Sequence, residues 1–108
     1  MEHFVTLYDS LFLPQGLALH ASMERHVKKY TLWVLCVDDE AYKILEKLEL
    51  SNVRLLQLSQ LETAELLKVK AERTKGEYCW TLTPFAPRFV FEADSMVERV
   101  TYVDADLW

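Results

Sequence analysis

Leu32-Trp33-Val34-Leu35-Cys36-Val37 is an unbroken apolar run with no polar alternation. A strand wetted on one face alternates polar and apolar residues, whereas a strand covered on both faces does not. The run therefore predicts a central strand of a parallel sheet. Parallel neighbours need long crossover connections, usually helices, and the sequence on either side supplies them. After the run, Asp38 or Asp39 can cap a helix in which Ala41, Ile44, Leu45 and Leu48 repeat at i, i+3, i+4 and i+7. Before it, Pro14 suits a first helical turn, and Leu19, Met23 and Val27 recur four apart within 15–27, where Gly16 and Ala18 lower the local bulk.

The pattern extends to both ends. Residues 4–8 read as a first strand leading into a loop at Asp9 and Ser10, and Asn52 turns the chain into a third strand over 53–58. A more weakly patterned helix is expected over 61–72, ending before Gly76. Pro84 and Pro87 interrupt the apolar stretch 78–93 and predict a kinked or two-part helix there. Residues 100–103 read as a short buried strand. The order β-α-β-α-β-α-α-β with right-handed crossovers predicts an α/β, Rossmann-like three-layer half-domain with a mainly parallel sheet in the order 3-2-1-4. The order reverses between the first and fourth strands, and open sheets of this kind bind ligands in the crevice at the carboxyl ends of such strands.

A chain of 108 residues supports one domain, 1–108, able to bury a core yet small for an enzyme that holds two substrates. It reads as half of a larger unit. The net charge of −5 argues against a nucleic-acid surface, which needs concentrated Lys and Arg. An acidic chain can still take a diphosphate if a divalent cation supplies the positive charge locally. No basic segment leads into a long apolar one, and no apolar run approaches bilayer length, so a cytoplasmic protein without a transmembrane segment is expected. Cys36 and Cys79 lack a CxxC spacing and read as buried thiols. His3, His20 and His26 share no helical face. No Gly-rich phosphate loop, nucleophile elbow or Ser/His/Asp set is present, so no catalytic residue is assignable.

The chemistry gathers at Thr101-Tyr102-Val103-Asp104-Ala105-Asp106. In an extended chain, residues i and i+2 point to the same side, so Asp104 and Asp106 can face one cation. Two hard oxygen ligands favour Mn²⁺ or Mg²⁺ over zinc. Such an ion can neutralise a diphosphate leaving group. The competing reading makes both residues turn carboxylates that close the strand.

Four segments in order, Phe4-Val5-Thr6-Leu7-Tyr8-Asp9, Leu13-Pro14-Gln15-Gly16-Leu17, Tyr78-Cys79-Trp80-Thr81-Leu82-Thr83-Pro84 and Arg99-Val100-Thr101-Tyr102-Val103-Asp104-Ala105-Asp106-Leu107, resemble the N-terminal half of a GT-A fold nucleotide-sugar glycosyltransferase of the family-8-like type. The resemblance covers nearly the whole chain, and only the Asp-X-Asp segment is specific by itself. It implies a metal-dependent sugar transfer from a nucleoside diphosphate donor, with UDP sugars first in line, to an unidentified acceptor. It carries contacts to the nucleotide base onto Leu7, Tyr8 and Asp9, made largely through backbone groups and the Asp. Contacts to the donor sugar and diphosphate fall on Thr81, Thr83 and Asp104, and the metal on Asp104 and Asp106. Leu11 stands where the family often has a polar residue, and the segment from Tyr78 to Thr83 lacks the basic residue many members carry. Asp9 as a turn former, with Tyr8 and Trp80 as core aromatics, is the structural reading of the same positions.

The resemblance also implies further strands after the motif, supplying the acceptor pocket and often a His at the metal. The chain is then a truncated donor-binding part, inactive alone in transfer, and able to form homo-oligomers through apolar surface left open beside 100–103. Two other readings remain: a nucleotide-binding or assembly module without catalysis, and a haloacid-dehalogenase-like phosphatase with the first Asp as nucleophile. The phosphatase motif normally opens its domain and runs on into Thr or Val, whereas this one closes the chain with Leu107-Trp108.

Overall fold

A computed structural model describes residues 2–58 and 85–103. The elements run β1 (Glu2–Tyr8), a 3-10 turn (Ser10–Phe12), α1 (Leu13–His26), β2 (Tyr30–Cys36), α2 (Asp39–Leu48), β3 (Val53–Gln57), α3 (Ala86–Ala93) and β4 (Thr101–Tyr102). The four strands form one sheet in the order β3-β2-β1-β4, with every pairing parallel. The topology is the one expected from the sequence. The helix expected over 61–72, the first part of the kinked helix over 78–93, and Cys79 lie outside the described residues.

The unalternating run of β2 has a direct structural cause. Leu32, Val34 and Cys36 pack with Leu19 and Met23 of α1 and Ala41 and Leu45 of α2 on one face. Trp33 and Leu35 pack with Phe89 and Val90 of α3 on the other. β1 divides in the same way, with Tyr8 toward α1 and α2 and Val5 and Leu7 toward α3. The helices separate because two successive right-handed crossovers in one direction place α1 and α2 on a common face. Reaching β4 beyond β1 reverses the direction, and α3 covers the opposite face.

Local chemistry fixes the ends of these elements. Asp38 caps α2 by accepting the Ala41 amide at 2.9 Å, and Pro14 occupies the first turn of α1. Asn52 takes a left-handed conformation at φ 64° in the turn into β3, a geometry that Asn tolerates better than most residues. The Glu24 carboxylate on α1 accepts the Tyr30 hydroxyl at 2.7 Å and the Asn52 amide at 3.0 Å, tying the helix to the starts of β2 and β3. The Arg54 guanidinium lies 4.4 Å from the Trp33 ring centre and pairs with Asp94 at 3.3 Å, joining β3 to the chain beyond α3.

β4 departs from its expectation. It comprises two residues, Thr101 is exposed and Tyr102 half-buried, whereas a buried strand was expected over 100–103. Burial in a sheet needs cover on both faces and strands on both edges. Among the described residues β4 pairs with β1 alone, through Phe4↔Thr101 and Val5↔Tyr102.

Candidate functional site

β1 and β4 lie side by side and point the same way, so the switch in strand order falls between them and opens at their carboxyl ends. The β4 side is described as far as Val103, whose amide donates to the Val5 carbonyl at 2.9 Å. Asp104 and Asp106 follow directly in sequence and lie outside the described residues, as do Thr81 and Thr83. Among the described residues no group of three or more His, Cys, Asp or Glu side chains could hold a metal.

Of the expected donor contacts, Leu7, Tyr8 and Asp9 are described, and the structure brings them to this edge. The side chains of Leu7 and Tyr8 enter the cores on opposite faces. Their contribution to a ligand is thereby limited to the backbone. Backbone polar groups along a strand face alternate neighbours. Because the Val5 carbonyl serves Val103, those of Leu7 face the β4 side, whereas the Tyr8 carbonyl accepts the Val37 amide at 3.1 Å. Burial pushes the Tyr8 phenol well above its ordinary pKa, with the neighbouring Cys36 adding to the shift. Its ring rests where a Cβ on Gly16 would stand, so the absent side chain at the start of α1 is what lets β1 and the helix approach.

Asp9 is buried, and its Oδ1 accepts the amides of Leu11 at 3.0 Å and Phe12 at 3.2 Å. The turn-forming reading of this residue is therefore correct. The turn leaves Leu11 74% exposed and Phe12 37% exposed, so an apolar surface follows Asp9 at the carboxyl end of β1.

Sequence reasoning missed Ser10 and the second role of Asp38. The Ser10 amide lies 3.2 Å from each Asp38 carboxylate oxygen and its hydroxyl donates to Oδ2 at 2.9 Å. No residue pattern marks this contact: it follows from the parallel register that sets Tyr8 opposite Cys36, so that the loops after β1 and β2 emerge side by side.

A groove of about 480 Å³ lies at the opposite, amino end of β1 and β4, lined by residues including Glu2, His3, Glu98, Arg99 and Thr101. Size does not make it the better diphosphate site. Two carboxylates against one guanidinium disfavour an anion, and the groove is remote from the strand ends where the order reverses.

No family model matches the chain. It is 36% identical over 105 residues to the uncharacterized protein YfnF of Bacillus subtilis (strain 168), a match covering 97% of this chain and 35% of that protein. It is 35% identical over 106 residues to the uncharacterized protein YfnD of the same organism, covering 98% of this chain and 34% of that protein. The chain thus spans about a third of the length of the curated relatives it matches.

Proposed function

We propose that this chain forms the donor-binding part of a metal-dependent glycosyltransferase that moves a sugar from a nucleoside diphosphate, UDP first, to an acceptor. The observation that carries the reading is the pairing of β1 with β4 in parallel at the point where strand order reverses. Both strands open onto one crevice. One leads into Asp9, and the other leads in sequence into Asp104-Ala105-Asp106.

The donor set suits Mn²⁺ or Mg²⁺: two carboxylates with no Cys or His between them. When bound, the ion would offset charge developing on the departing phosphate. Asp104 and Asp106 hold it, the Leu7 backbone and the turn at Asp9 meet the base, and Thr81 and Thr83 offer hydroxyls to the sugar and diphosphate. Neither Asp has to act as nucleophile or base.

Titration calorimetry tests the proposal. UDP should bind more tightly with Mn²⁺ than without it, and Asp104→Asn combined with Asp106→Asn should remove that difference. Metal-independent binding unchanged in the double variant would defeat the proposed mechanism.

A further inference from the structure

Capping α2 requires one acceptor oxygen, and Asp38 supplies it to Ala41 at 2.9 Å; Ser, Thr or Asn would serve as well. The same carboxylate also takes both the amide and the hydroxyl of Ser10, 28 residues away in sequence. Those bonds exceed what a helix cap needs. They are charge-assisted, which makes them stronger than bonds between neutral groups. Ser10 is joined to Asp9, whose own carboxylate orders Leu11 and Phe12. One carboxylate thus holds the turn from inside and the other from outside.

We propose that Asp38 is a positioning residue of the donor site: it latches the turn from Asp9 to Phe12 in the arrangement that receives a nucleoside diphosphate. This inference rests on the donor-site reading above. Affinity scales with the fraction of protein whose loop is already competent to bind. Losing hydrogen bonds to a charged group can lower that fraction by about tenfold.

The test uses the full chain with Asp38→Ser, Ser10→Ala, their combination, and Ser10→Thr. Asp38→Ser keeps a helix cap and is too short to reach Ser10, while Ser10→Ala is mild enough to preserve the fold. UDP affinity with Mn²⁺ is measured by calorimetry, and amide hydrogen exchange is followed at Leu11, Phe12 and, as a cap control, Ala41. Asp38→Ser should weaken UDP by about tenfold and speed exchange at Leu11 and Phe12 while Ala41 stays protected. Ser10→Ala should have a smaller effect, absent once Asp38 is already Ser, and Ser10→Thr should restore binding. Unchanged exchange at Leu11 and Phe12 in Asp38→Ser overturns the latch. Faster exchange with unchanged UDP affinity overturns its role in binding. If the unaltered chain binds no UDP, the donor-site reading and the binding role fall together, while the exchange rates still decide whether Asp38 orders the turn.

Discussion

Gly16→Ala isolates the close approach that joins α1 to the end of β1. The added Cβ would overlap the Tyr8 ring at its outer carbons and hydroxyl, and that ring is only 4% exposed, so it has little room to swing away. Overpacking of this kind costs about 1–3 kcal/mol. Replacing Gly by Ala in a helix returns about 0.8–1.0 kcal/mol. The net is a destabilisation of about 1 kcal/mol, equivalent to a fall in Tm of roughly 4–8 °C for a domain of this size. Urea and thermal denaturation followed by circular dichroism would measure it. The decisive arm is the same substitution in a Tyr8→Leu background. There the clash is relieved and helix propensity acts alone, so Gly16→Ala should stabilise by up to about 1 kcal/mol. A Gly16→Ala chain more stable than the unaltered one, or an equal penalty in both backgrounds, would refute the reasoning.

Three further outcomes follow from the core and the surface network. The Thr6 hydroxyl is buried with no hydrogen-bond partner among the described residues, so Thr6→Val should raise stability by about 1 kcal/mol in urea melts. Burial, aided by the Asp38 charge, pushes the Cys36 thiol up to about 12; in a Cys79→Ser background the native chain should resist iodoacetamide at pH 8 and react at once when unfolded. Bonds from Tyr30 and Asn52, with His20 nearby, hold the Glu24 carboxyl below its ordinary value near 4.5. A depressed carboxyl pKa contributes stability that is present above that value and lost as pH falls through the folded pKa. Glu24→Gln should therefore flatten the loss of stability on acidification below pH 4.5.

The topology was legible because its determinants are local or general. The unalternating run of β2 announces cover on both faces, and the handedness of crossovers then leaves few arrangements of the remaining strands. A cap at Asp38 or Asp39 could be read from their place before Ala41, Ile44 and Leu45, and the structure gives that role to Asp38. Its grip on Ser10 could not, because that contact depends on the lateral register of two strands, Tyr8 beside Cys36. The burial of β4 was misjudged for a related reason: Thr101 and Tyr102 are strand-like by residue type, but burial depends on neighbours, and among the described residues β4 pairs with β1 alone. Within the candidate site, the sequence named Leu7, Tyr8 and Asp9 correctly as residues of the carboxyl edge. It could not show that the first two turn their side chains into opposite cores, or that of their backbones the one facing the β4 side is that of Leu7.

The central claim, that a metal-bound nucleoside diphosphate sits at the carboxyl edge between β1 and β4, is tested most directly by paramagnetic broadening of amide resonances. The seven residues of β1 separate the two edges of the sheet by about 20 Å, far enough for bound Mn²⁺ to distinguish them. With Mn²⁺ and UDP added, the account predicts selective loss of the Tyr8, Asp9, Ser10 and Val103 signals, with Glu2, His3 and Asn52 retained. Broadening centred on Glu2, His3 and Arg99 at the amino-end groove, with Asp9 and Val103 unaffected, would contradict it.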